Sequence, residues 1–145
     1  MPKPTSLAPF LMAPVIAALT DIGIPVMGHV GLEPQRIHAY GGYKIQGTTR
    51  EGAQRIREDA QAVAAAGAWS IVLEGIPAAL AQEITASLPI PTIGIGSGSG
   101  CDGQVLVSCD LWGLNPNFTP KFVKRYIDGY SALKQAVSDF SAEVQ

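Results

Sequence analysis

Cysteine is scarce in this chain. Only Cys101 and Cys109 occur among 145 residues, without zinc-type spacing and without a nearby histidine. The pair excludes a disulfide framework as an expectation and reads as reduced thiols of a cytoplasmic protein. Charge is also thin: 15% of residues are Asp, Glu, Lys or Arg, and the formal net charge is −2. The densest basic group, Lys121, Lys124 and Arg125, suits a solvated helix face better than an electrostatic footprint for nucleic acid. Long apolar runs are missing as well. The stretch Leu7–Leu19 is broken by Pro9 and Pro14 and falls short of the roughly 18–20 residues that span a bilayer. With Lys3 alone as a basic flank, it makes a weak signal peptide. Neither nucleic acid nor membrane is an expected partner.

What the chain does have is apolar content. Hydrophobic residues make up 47% of it, enough for an ordinary packed core in one domain spanning residues 1–145. Four short apolar segments, Ile24–Val30, Ser70–Ile76, Pro91–Ile95 and Gln104–Ser108, are bounded by Gly, Pro or Asp. None alternates cleanly, as expected of strands covered on both faces. Between them lie helical patterns. Thr48 and Glu51 have capping-box spacing, Ala53, Ile56, Ala60, Val63 and Ala64 follow on one helical face, and Gly67 supplies a stop. A second helix is expected from Pro77, with Leu80, Ile84 and Leu88 as its stripe. A helical tail is expected from about Pro120, with Phe122, Tyr126, Leu133, Val137, Phe140 and Val144 as apolar positions and Gly129 as a break. Strand–helix alternation predicts an α/β fold with a parallel sheet.

Four places could carry chemistry if the sheet belongs to a barrel, whose site lies at the C-terminal strand ends. His29 closes an apolar strand; its imidazole could contact a carbonyl or carboxylate, or simply bond to backbone. Glu74 follows Ile71-Val72-Leu73. A carboxylate there is costly to bury unless used or paired, so it reads as a general base or as a structural charge facing the helix after Pro77. The run from Gly94 to Gly100 is glycine-rich but lacks a Rossmann, Walker or nucleophile-elbow pattern, so a tight turn is its plain reading. Asp110 could reach the Glu74 face or cap a loop. Nothing offers a dedicated metal site, since Mg²⁺ wants one or two carboxylates plus substrate oxygens and water.

Several motifs in register resemble one family. They are Pro25-Val26-Met27-Gly28-His29-Val30-Gly31-Leu32, Gly41-Gly42-Tyr43-Lys44-Ile45-Gln46-Gly47, Val72-Leu73-Glu74-Gly75-Ile76-Pro77, Pro91-Thr92-Ile93-Gly94-Ile95-Gly96-Ser97-Gly98, Cys101-Asp102-Gly103-Gln104-Val105-Leu106-Val107, and Pro120-Lys121-Phe122-Val123-Lys124. From about Met12 onward the chain resembles the C-terminal half of ketopantoate hydroxymethyltransferases, whereas residues 1–11 show no such likeness. The resemblance implies the last four strands of a (β/α)8 barrel with C-terminal helices. It implies transfer of a hydroxymethyl group from 5,10-methylenetetrahydrofolate to 3-methyl-2-oxobutanoate, giving 2-dehydropantoate on the route to pantothenate and coenzyme A. It places Glu74 as the general base and His29 as a contact to the 2-oxo acid. It also implies Mg²⁺, whose family ligands lie on the first four strands, so none is expected in this chain. Two positions depart from the family pattern: Cys109 where histidine is frequent, and Gly75 in place of a common cysteine.

A half barrel leaves sheet edges unpaired and its inner side chains without partners. The expected partner is therefore a second copy or a complementary half barrel. The competing reading is a catalytically incomplete fragment or an interaction module without the metal site. A third, a barrel of the phosphoenolpyruvate mutase type, also handles Mg²⁺-bound 2-oxo acids but does not account for the motifs above.

Overall fold

The computed structural model describes residues 8–144; most of the segment 1–11, expected to lack family likeness, lies outside them. The chain divides into two compact units, one running to Val105 and the other starting at Leu106. The first holds α1 (Ala8–Asp21), β1 (Met27–Gly31), a 3-10 turn (Pro34–Arg36) running into α2 (Ile37–Tyr40), then α3 (Arg50–Ala65), β2 (Ser70–Glu74), α4 (Ala78–Ser87), β3 (Thr92–Ile95) and β4 (Gly103–Gln104). The second holds α5 (Ser108–Leu111) and α6 (Gly129–Glu143).

The sheet has four strands in the order β1-β2-β3-β4, all neighbours parallel. Each new strand is laid beside the last, as in a barrel. An open doubly wound sheet would reverse order at a switch point. Register pairs Met27 with Ser70, His29 with Val72 and Gly31 with Glu74, and then Ile71 with Thr92 and Glu74 with Ile95.

One face of the sheet is closed by helices. Helix α3 packs on β1 and β2, and α1 and α4 pack on α3. Val30, Ile71 and Leu73 point into this layer and are buried with Ile56, Ala60, Val63, Leu80, Ala81 and Ile84. The alternate residues behave differently: Met27 is exposed, and His29, Val72, Glu74 and Ile93 are only half-buried. A parallel sheet in order, covered on one face and open on the other, is part of a (β/α)8 barrel seen from its lumen side. The expectation of strands covered on both faces fails for this reason: among the described residues the face that would look into a barrel is largely uncovered, with Ser70 and Ile95 as its buried positions.

Element boundaries shift from the expected ones for local reasons. The first strand starts at Met27 rather than Ile24, because Pro25 has no N–H to give to a ladder, and it runs two residues beyond His29. The second stops at Glu74, where Gly75 takes φ +57° and turns the chain. The third begins at Thr92 rather than Pro91. The expected capping box slips by one: the cap of α3 is Thr49, whose hydroxyl accepts from the Gly52 N–H at 3.1 Å. The residue three beyond it is then Gly52, which has no side chain to reach back. Glu51 instead lies in the first turn, where a negative charge favours the helix dipole. The stop is as expected. Gly67 has φ +94°, and its N–H and that of Ala68 close onto the carbonyls of Ala64 and Val63 at 3.0 and 3.3 Å.

Two larger corrections fall at the C-terminal end. The strand expected over Gln104–Ser108 is only Gly103–Gln104, with one more ladder-like bond from Val105 N–H to the Gly94 carbonyl at 3.0 Å. Val107 already caps α5, so Ser108, Cys109 and Asp110 are helical. The helix expected from Pro120 begins at Gly129. Asp128 is its cap, accepting from the Ser131 N–H at 3.2 Å, so Gly129 is the first residue of the helix rather than a break within it. Phe122 and Tyr126 lie before the helix. Leu133, Val137 and Phe140 do fall on one face of it, Val144 is its C-cap, and all four are exposed.

Candidate functional site at the strand ends

Glu74 is the last residue of β2, and His29 sits in the middle of β1 opposite Val72. A parallel register puts His29 and Glu74 diagonally on one face of the sheet, within reach of two long side chains. That face is the open one. The imidazole Nε2 lies 3.1 Å from Glu74 Oε2, and the two side chains keep 35% and 18% of their surface exposed. The contact is close but misaligned. Nε2 is itself shut off from solvent and still makes no hydrogen bond, so the carboxylate oxygen lies off the line of an N–H donor there. Nε2 is thus an unsatisfied polar atom at the mouth of the sheet, a kind of group that rarely stays without a partner.

The backbone beneath Glu74 is held from both neighbouring strands. Its carbonyl accepts from Leu32 N–H at 2.8 Å, and Gly75 N–H donates to the Ile95 carbonyl at 2.9 Å. The first contact depends on Gly31. This residue has φ +102°, and a Cβ there would collide with the Glu74 carbonyl. The backbone that carries the strand-end carboxylate is therefore held by bonds that involve no side chain of its own.

The glycine-rich run after β3 acts as a turn, as its plain reading suggests. Gln104 Nε2 donates to the Gly98 carbonyl at 3.0 Å. Ser97 is buried, with 1% of its surface exposed, and its hydroxyl donates to the Leu73 carbonyl at 2.8 Å and accepts from Ile76 N–H at 3.3 Å. Sequence reading weighs Ser97 only as a nucleophile and passes over it. The signal available was a hydroxyl placed between two glycines, small enough to tuck under the neighbouring strand. At the other end of β3, Asp102 Oδ2 accepts from both Thr92 N–H, at 2.8 Å, and Thr92 Oγ1, at 3.1 Å. Asp110, expected just after a strand over Gln104–Ser108, lies instead on α5, because that strand ends at Gln104.

The family model described as ketopantoate hydroxymethyltransferase matches residues 7–145, beginning inside the segment 1–11 that was expected to lack the likeness. The chain belongs to the ketopantoate hydroxymethyltransferase family. Curated relatives bear the name 3-methyl-2-oxobutanoate hydroxymethyltransferase. The one from Magnetococcus marinus is 57% identical over 134 residues, covering 92% of this chain and 50% of its own length. Those from Carboxydothermus hydrogenoformans and Pelobacter propionicus are 56% and 59% identical, each over 92% of this chain and 49% of their own length. The chain spans about half the length of the curated relatives it matches, and the match is to their C-terminal half. Ketopantoate hydroxymethyltransferases are (β/α)8 barrels, in keeping with the ordered parallel sheet.

Whether the Mg²⁺ implied by the family likeness fits these residues can be tested on the donor set. A Mg²⁺ site of this kind is octahedral and built on carboxylate, water and substrate oxygens. At the strand ends Glu74 meets an imidazole rather than a second carboxylate. Among the described residues no three His, Cys, Asp or Glu side chains gather in a way that could hold a metal ion. The residues present do not fit that ion. Likewise, among the described residues no helix is long and apolar enough to cross a membrane.

Proposed function

We propose that this chain carries the proton-abstracting half of a 3-methyl-2-oxobutanoate hydroxymethyltransferase site. The observation that supports it most is the His29–Glu74 pair, 3.1 Å apart on the open face at the strand ends, in a chain of this family. In this reading Glu74 takes the proton from C3 of the 2-oxo acid, and the electron pair of that C–H bond becomes the enolate. His29, whose side chain keeps 35% of its surface exposed, contacts an oxygen of the same substrate. The enolate carbon then forms a bond to the one-carbon unit of 5,10-methylenetetrahydrofolate, and with one water consumed overall the products are 2-dehydropantoate and tetrahydrofolate. General-base catalysis of this type contributes about 10²–10⁴-fold.

The reading requires a partner to close the open face, either a second copy of this chain or a complementary half barrel. A catalytically incomplete interaction module is the second reading, supported by the open sheet face on which Met27 is exposed and His29, Val72 and Ile93 are only half-buried.

The test is hydrogen–deuterium exchange at C3 of 3-methyl-2-oxobutanoate in D₂O, with and without added Mg²⁺, comparing the purified chain with Glu74→Gln. It isolates enolisation and needs no folate. Exchange that disappears in Glu74→Gln is the expected result. No exchange from a folded sample gives the position to the interaction module.

A further inference from the structure

We propose that Ser97 is a positioning residue for Glu74. The inference rests on the reading of Glu74 as the base and deepens it. Ser97 lies on the turn after β3, yet its hydroxyl bridges the two flanks of Glu74 on β2. It donates to the Leu73 carbonyl at 2.8 Å and accepts from Ile76 N–H at 3.3 Å. The Ile95 carbonyl, at 3.3 Å, is the weaker acceptor for the same proton. Leu73 precedes Glu74 and Ile76 follows the Gly75 turn, so one side chain from the next strand spans the place where β2 bends away.

Without that bridge, the Leu73 carbonyl and the Ile76 N–H would lose their side-chain partner in a place closed to water. Both would be freed to move with the Gly75 turn. The carboxylate reaches Nε2 of His29 diagonally across the strands, so a small rotation of the strand end is enough to separate the pair. Displacements of about 1 Å in a reacting group can cost on the order of 10²-fold in rate. The hydroxyl itself faces backbone, so it is not a substrate contact, and its loss acts only through Glu74.

Two readouts test this on the full chain, for Ser97→Ala and for Ser97→Cys, which keeps the side-chain volume but bonds weakly. The first is the C3 exchange rate at saturating 2-oxo acid, expected to fall about tenfold with an apparent KM within about twofold of the parent. The second is the His29 Nε2 to Glu74 Oε2 separation in crystal structures of the parent and both variants. It is expected to open beyond hydrogen-bonding range in both variants, and it needs no chemistry. Glu74→Gln is run beside them. If that substitution leaves exchange unchanged, the reading of the base fails, and the separation alone decides the role of Ser97. A pair that stays closed in both variants overturns the proposal whatever the rates. A rise in KM at unchanged maximal rate overturns it too, because it would mean that Ser97 acts on substrate binding.

Discussion

Leu73 and Glu74 are consecutive residues of one strand with opposite surroundings. Leu73 has no exposed surface and packs in the layer closed by α3 and α4, whereas Glu74 stands half-buried on the bare face against His29. The same contrast runs across the sheet, with Val30 and Ile71 on one side and Met27, His29 and Val72 on the other. The closed face holds the unit together, and the open face holds the groups that can do chemistry. A substitution should therefore affect stability or activity according to its face, with little crossover.

The sharpest test of that division is Glu74→Gln. It should lower C3 exchange by about 10²–10⁴-fold while leaving the urea midpoint of unfolding nearly unchanged. A large loss of stability in this variant would break the comparison. On the other face, Leu73→Ala should cost about 2–5 kcal/mol by denaturant titration, since it removes a fully buried side chain. Its effect on activity should follow only the unfolded fraction. Next, His29→Gln keeps a donor but removes the imidazole; apparent KM for the 2-oxo acid should rise about tenfold, the scale of one hydrogen bond to a charged group, with stability within about 0.5 kcal/mol of the parent. Val72→Ala, one residue from Leu73 but on the open side, should cost about 1 kcal/mol or less, well below Leu73→Ala.

The smallest expected effect lies outside both faces. Arg57 donates from Nε and a terminal guanidinium nitrogen to the two oxygens of Glu83, both at 2.7 Å. The hydrogen bond to Arg57 holds the Glu83 carboxyl below the usual range. A lowered folded-state value contributes stability that is present above the unfolded carboxyl's pKa and is lost as pH falls through the folded one. Glu83→Gln should therefore narrow the gap in Tm between neutral pH and pH below about 4.3. Because the pair is exposed, the shift should be small and should shrink further in high salt.

Much of this arrangement was legible in the residues. The apolar runs located β1, β2 and β3, Glu74 stood at a strand end as read, and the motifs carried both the family and the parallel fold. The faces were not legible. Ile71, Val72 and Leu73 are alike in apolar character, so no alternation marks which of them meets the helices. Nor could the His29–Glu74 distance be read, because it depends on the register of two strands separated by a whole helix. The C-terminal errors have local causes. Val105-Leu106-Val107 reads as a strand until Ser108-Cys109-Asp110 turns it into helix, and the Asp128 cap is masked by Pro120, which looks like an earlier start. In α6 the periodicity was right, but it does not say what covers a face.

Gly31 shows how far the constraint on Glu74 reaches. It has no side chain, takes no part in any proton transfer, and lies on a different strand. Yet it has to stay bare so that β1 can close onto the Glu74 carbonyl. In a saturation library of this chain scored by C3 exchange, position 31 would be as empty of active variants as position 74. Such a map would show two intolerant positions and one chemical group.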